Sequence, residues 1–187
     1  MKILVTGATG FIGSFIVEEA IRRGMETWAA VRASSSTKYL TDPRINFITL
    51  NLDSEEQLRE ALAPHRFDYV VHAAGVTKCL DRRDFFRVNT EGTKNLVRAV
   101  TSLGMPLRKF VFLSSLSVFG PAREQQPYRE ITDGDTPVPN TAYGQSKLAA
   151  ENFITQQAAL PYVILRPTGV YGPRERDYFM MAKSIKN

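Results

Sequence analysis

Residues 1–13, MKILVTGATGFIG, decide the fold of this chain. Lys2–Thr6 (KILVT) is a short, apolar, β-branched run of the kind that forms a strand buried on both faces. A helical pattern begins at Phe11, with Phe11, Phe15, Ile16, Ala20 and Ile21 on one face, and stops at Gly24. Between strand and helix stand Gly7, Gly10 and Gly13. A glycine triplet alone is a weak signal, but strand before and helix after is the context a dinucleotide fingerprint requires. Gly7 permits the tight turn, Gly10 lets backbone approach a pyrophosphate, and Gly13 lets the helix pack closely on the sheet. The anion then meets the positive end of the helix. The turn nominates Gly7, Thr9, Gly10, Phe11, Ile12 and Gly13 as cofactor-binding residues.

The same alternation continues through the 187 residues. Strand patterns cover Thr27–Arg32, Ile45–Leu50, Tyr69–Ala73, Lys109–Ser114 and Tyr162–Leu165. Helical patterns cover Ser54–Leu62, with Ser54 as N-cap and Glu55 and Glu56 in the first turn, then Asp84–Leu103, Tyr143–Gln157 and Asp177–Lys186. A proline-bearing loop fills Gly120–Thr141. Strands alternating with helices predict a parallel sheet covered on both faces. Right-handed crossovers make it an α/β, three-layer α/β/α Rossmann fold with a doubly wound parallel sheet.

Composition narrows the function. Hydrophobic residues are 43% and charged residues 23%, a globular balance. No apolar run is long enough to cross a bilayer and no leader pattern precedes the first strand, so a cytoplasmic protein without a membrane partner is expected. Cys79 is the single cysteine, which excludes an intrachain disulfide and argues against a metal site. The net charge of +5 is spread without a basic block, so no nucleic-acid partner is expected.

The GxxGxxG spacing after Thr6 resembles the extended short-chain dehydrogenase/reductase superfamily, the NAD(P)-dependent epimerase/dehydratase family. Later segments carry the same resemblance: Ser114-Ser115-Leu116-Ser117 with Val118-Phe119-Gly120 is similar to the family's SSxxVYG, Tyr143–Lys147 is a YxxxK, and LRPTGVYGP (165–173) is similar to LRPxxVYGP. The likeness runs from Lys2 to about Arg176. It implies a 1–187 NAD(P)-binding domain. It also implies a further ~100–150 residues, about one small domain, completing the substrate site in whole family members.

Chemistry and resemblance together set the candidate site. A free phenol titrates near ~10; a lysine four residues along the same helix face, and a positive nicotinamide ring, favour its phenolate. Tyr143 is thus the expected general acid/base, Lys147 its modulator and ribose ligand, and Ser115 the serine that polarises the reacting oxygen, with Ser114 and Ser117 as neighbours. The cofactor set adds Arg32, Asn51, Leu52, Ala73, Ala74, Gly75, Ser114, Pro167, Thr168 and Val170. Asn51–Leu52 stands where relatives carry Asp-Leu beside adenine, with Asp53 as competitor. His72 and Asn89 are read as structural. Arg32, at the end of the second strand, replaces the acid that would bind a free ribose 2′-hydroxyl; a guanidinium suits a 2′-phosphate, so NADP is expected, with NAD as the alternative. Ser34, Ser35 and Lys38 add donors. Arg174 and Arg176 are candidates for a substrate phosphate, or else solvated loop arginines.

The implied function is an oxidoreductase or nucleotide-sugar epimerase/dehydratase transferring hydride at a carbinol or carbonyl carbon. Its partner is a small-molecule substrate, a nucleotide sugar or carbonyl compound, and a homodimer is implied by the family alone. The alternative is a non-catalytic dinucleotide sensor or scaffold; the retained tyrosine–lysine pair argues against it.

Overall fold

A computed structural model describes residues 1–121, 129–132, 134–175 and 177–186. Among the described residues six parallel strands form one sheet: β1 (Lys2–Thr6), β2 (Glu26–Val31), β3 (Asn46–Thr49), β4 (Tyr69–His72), β5 (Lys109–Leu113) and β6 (Tyr162–Leu165). Their order is β3-β2-β1-β4-β5-β6. The chain therefore winds outward from β1 to β3, returns, and winds the other way from β4 to β6. The reversal lies between β1 and β4, paired from Ile3 with Tyr69 to Thr6 with His72. A crevice opens at the carboxyl ends of these two strands, where open α/β sheets bind ligands.

The core has two halves, one on each face. Leu58 and Leu62 of α2 (Glu55–Leu62) pack with Val70, Phe110 and Phe112. So do Leu96, Val97 and Val100, which come from the helix after β4, and Ala150 and Ile154 of the helix before β6. On the other face Val17, Ala20 and Ile21 of α1 (Phe11–Arg22) pack with Ile3, Val5, Ala29, Leu40 and Ile45. The buried face of α1 is therefore Gly13, Ser14, Val17, Ala20 and Ile21. Phe11 and Phe15, expected inward, instead make an edge-to-face pair with centroids 5.8 Å apart, and Phe15 is exposed. The close seat of Gly13 on the turn rotates the aromatic pair outward. The expectation of a sheet covered on both faces holds in part: Tyr162, Val163 and Leu165 of β6 are exposed among the described residues.

The helix expected over Asp84–Leu103 is present and continuous, but its pitch is not uniform. It begins as α3 (Arg82–Phe85), passes through a π-helical stretch at Phe86–Glu91, and continues as α4 (Gly92–Ser102). The wide turn carries Asn89, whose side chain bonds across the fold; Thr93 Oγ1 donates to the Asn89 carbonyl at 2.7 Å, occupying an acceptor in the disturbed ladder. The remaining helices are α5 (Ala142–Thr155), capped by Thr141 Oγ1 accepting from Gly144 N, and α6 (Asp177–Lys186).

Candidate active site and dinucleotide groove

The glycine turn forms the floor of the crevice. Gly7 has φ +67°, a conformation open to glycine at little cost, and a Cβ there would lie 2.6 Å from the Ala73 carbonyl. A Cβ on Gly13 would lie 2.1 Å from Gly7 O. The turns after β1 and β4 and the first turn of α1 thus touch backbone to backbone. Gly10 is the N-cap of α1 and makes no side-chain cap bond, and the first turn has no acid, so its amides face the groove with their dipole unneutralised.

A groove of about 710 Å³ runs over this floor. Gly7, Thr9, Gly10, Phe11, Ile12, Gly13, Arg32, Ala73, Gly75, Ser114, Ser115, Tyr143, Lys147, Pro167, Thr168 and Val170 all line it. Three nominated residues stand outside its lining. Ala74 instead donates its N–H to Thr6 Oγ1 at 3.3 Å. Asn51 Nδ2 donates to Gln57 Oε1 at 2.8 Å, and its Oδ1 accepts from Asp53 N, so both amide atoms serve the entry to α2. The Leu52 carbonyl accepts from Asn95 Nδ2. Ser34, Ser35, Ser36, Lys38, Tyr39, Thr77, Leu113, Arg174, Glu175 and Tyr178 complete the walls. Arg174 is turned to α1: it donates to Ser14 Oγ at 3.0 Å, pairs with Glu18 at 2.6 Å, and stacks over Phe15 and Tyr39. Arg176 lies outside the described residues.

At the far end the groove meets a second cavity of about 840 Å³, walled by Leu116, Phe119, Pro121, Ile131 and Val138 among others. Ser115 and Tyr143 line both. Ser115 caps the 3-10 turn Leu116–Phe119, its Oγ accepting from Ser117 N and donating to Ser117 Oγ, and it favours the ionised form of the neighbouring Tyr143 phenol. Ser114, one residue back, points into the core and donates to Glu151. Strand alternation thus separates the two serines. Burial pushes the phenol of Tyr143 above its ordinary value of 10, against the Ser115 bond, which lowers it. Sequence reasoning expected Lys147 to bring the phenol down; the larger effect in the fold is desolvation. Lys147 is itself buried, its Nζ 4.5 Å from the Phe112 ring centre, and burial lowers it from 10.5 to about 8 while Glu151 opposes the fall.

His72 and Asn89 support this centre. Thr93 Oγ1 gives its only proton to the Asn89 carbonyl, so Nε2 is the ring's donor and Nδ1 of a neutral ring accepts the Thr6 hydroxyl proton at 2.6 Å. Nε2–H then donates to Thr93 Oγ1 at 2.9 Å, which donates on to the Asn89 carbonyl. The chain suits a neutral ring, and burial, with the Lys147 charge nearby, pulls the imidazole down to about 3. Asn89 bonds Val76 through its N–H and its carbonyl, and Ser146 Oγ at 3.0 Å, tying the turn after β4 to α5. Glu151 is the residue sequence reasoning missed. Its signal was an acid four residues beyond Lys147, beside Ala150 and Ile154 on a buried face.

Known proteins resemble this chain along nearly all its length. The family model described as the NAD dependent epimerase/dehydratase family matches residues 3–187. UDP-glucose 4-epimerase of Azospirillum brasilense is 33% identical, covering 91% of this chain and 49% of its own length. 3-Beta-hydroxysteroid dehydrogenase of Mycolicibacterium neoaurum is 28% identical over 95% of this chain and 50% of its own length. The structure of Thermus thermophilus UDP-glucose 4-epimerase in complex with NAD superposes with a TM-score of 0.83 at 31% identity, covering 94% of this chain and 58% of that one. The chain spans about half the length of the curated relatives it matches.

Proposed function

The chain belongs to the NAD-dependent epimerase/dehydratase family, and on that premise we propose that its groove binds a nicotinamide dinucleotide and that the whole protein moves hydride at a carbinol or carbonyl carbon. The observation carrying this reading is the meeting of two cavities at one serine–tyrosine pair, with the glycine cradle at the opposite end of the groove. The cradle fits a pyrophosphate: Gly7 and Gly13 let the turn and the start of α1 close backbone to backbone, and first-turn amides without a side-chain cap supply donors.

In this reading Gly7, Gly10 and Gly13, with the amides of Phe11 and Ile12, hold the pyrophosphate. Lys147 holds the nicotinamide ribose beside Gly75, where its Nζ lies 3.5 Å from a notional Cβ. A bound nicotinamide ring supplies or accepts the hydride. Tyr143 gives a proton to, or takes one from, the substrate oxygen, and Ser115, which lines the same junction of the two cavities, hydrogen-bonds that oxygen. The second cavity takes the substrate, a nucleotide sugar first because relatives are UDP-glucose 4-epimerases. The pairing of a half-buried tyrosine with a buried lysine favours an enzyme over a dinucleotide sensor.

NAD is the leading cofactor, because the solved relative binds NAD; the expectation of NADP becomes the second reading. What favours NADP is the wall of Arg32, Ser34, Ser35, Ser36 and Lys38, which holds two cations and no carboxylate. Parallel titration of NADH and NADPH by nicotinamide fluorescence, repeated with Arg32→Ala, decides between them. A preference for NADH that survives the substitution supports NAD, whereas a preference for NADPH that vanishes with Arg32 supports NADP. Binding of neither would refute the proposal.

A further inference from the structure

We propose that Glu151 is a positioning residue of the active centre, a buried carboxylate that ties the helix of Tyr143 and Lys147 to the ends of β5 and β6. The inference rests on the dinucleotide reading above.

The Glu151 side chain is only 2% exposed. Both of its oxygens are engaged. Ser114 Oγ donates to Oε1; Arg166 Nε reaches both oxygens, at 3.1 and 3.2 Å, and Arg166 Nη2 donates to Oε2 at 2.7 Å. Each partner adjoins a site residue: Ser114 precedes Ser115, and Arg166 precedes Pro167. The two segments are joined by backbone as well, Ser114 N donating to Leu165 O and Leu116 N to Pro167 O. Glu151 lies one helical turn beyond Lys147, itself one turn beyond Tyr143, so all three share a face of α5. One carboxylate therefore sets the spacing between the phenol, Ser115 and the loop that begins at Pro167.

The same carboxylate acts on Lys147 through charge. Among the groups packed around Lys147, Tyr143 is neutral at physiological pH, His72 is held neutral by burial, and Arg166 is a cation satisfied by Glu151 itself. Glu151 is the anion that opposes the desolvation of the ammonium. A buried carboxylate without these partners would cost more than it contributes; with a bidentate guanidinium, a hydroxyl and an ammonium nearby it is fully partnered.

The test is the pH dependence of NADH affinity for the wild-type chain, Glu151→Gln and Glu151→Asp, with urea unfolding alongside. Glu151→Gln keeps the shape and removes the charge. The basic-side midpoint at which affinity falls is expected to drop by about one pH unit, so that affinity falls about twofold near neutrality and by close to tenfold on the alkaline side of the midpoint. Glu151→Asp keeps the charge but falls a methylene short of its partners, so its midpoint stays near that of the wild type while affinity falls severalfold. A merely structural carboxylate would lower the urea midpoint in Glu151→Gln without moving the pH midpoint, and that result would overturn the proposal. If Glu151→Gln does not fold, wild-type affinity in Glu151→Asp would overturn it equally. Failure of the wild-type chain to bind NADH falls on the proposed function; wild-type binding with an unmoved midpoint in Glu151→Gln falls on Glu151 alone.

Discussion

Replacing Gly13 by alanine separates a glycine needed for packing from one needed for the ligand. A Cβ at Gly13 would lie 2.1 Å from Gly7 O, 2.7 Å from Gly7 C and 3.0 Å from Ala8 Cα. All three are backbone atoms of a turn that itself abuts Ala73, so none can rotate away. The start of α1 must retreat by roughly 1 Å, and such overpacking costs about 1–3 kcal/mol. Alanine returns up to about 1 kcal/mol as the better helix former. The net loss is about 1–2 kcal/mol, a fall in Tm of roughly 2–8 °C for a domain of this size. Because the retreat moves the first-turn amides, NADH affinity should fall as well. Gly10→Ala is the control. Its φ of −79° is ordinary, and the nearest atom to its Cβ is Gly7 O at 3.2 Å. That contact is tight but asks Gly7 O to give only a few tenths of an ångström, so stability should fall by less than in Gly13→Ala, while the methyl group, standing in the groove, weakens NADH binding. Urea unfolding followed by circular dichroism, with fluorescence titration on the same samples, reads both effects. Gly13→Ala unfolding at the wild-type urea concentration would refute the close-packing argument, and Gly10→Ala losing as much stability as Gly13→Ala would refute the division of labour.

The buried titratable groups give further tests. His72 titrates near 3 in the fold against 6.5 unfolded, so the unfolded chain binds more protons between these values; stability is fully present above 6.5 and is lost as pH falls through the window. A urea midpoint that stays flat down to about pH 4.5, once compared with His72→Gln, would show that the ring is already charged in the fold. Lys147 is likewise depressed, from 10.5 to about 8, so the unfolded chain again binds more protons and stability rises with pH across that interval. Lys147→Met should abolish this rise, hold or increase stability at neutral pH, and weaken NADH binding; unfolding curves on either side of pH 8 check it. Ser115→Ala removes the bond that lowers the Tyr143 phenol, so the phenolate should appear at still higher pH in a spectrophotometric titration referenced to Tyr143→Phe.

Legibility in the sequence followed the range of each interaction. β1, the glycine turn and α1 are read from 13 consecutive residues because strand period, turn conformation and helix start are all local, and the observed β1 matches the reading residue for residue. The tyrosine–lysine spacing is local in the same sense, since one turn of helix places both on a face. The π-helical stretch at Phe86–Glu91 was not legible, because an apolar period across Asp84–Leu103 conceals one wide turn, and the bonds that Asn89 makes from it run to the distant Val76 and Ser146. Asn51 shows the converse: it occupies the expected position in the chain, yet Gln57, six residues on, engages its amide.

Glu151 combines both kinds of range. Its spacing from Lys147 is local, but its partners arrive from β5 and β6, 37 and 15 residues away. Taken by itself it reads as a solvated helical glutamate. Its apolar neighbours Ala150 and Ile154 put it on a buried face, and a buried carboxylate must be partnered. A charge on the core side of an amphipathic helix therefore marks where distant segments converge, and here they converge on the two strand ends that carry Ser115 and Pro167.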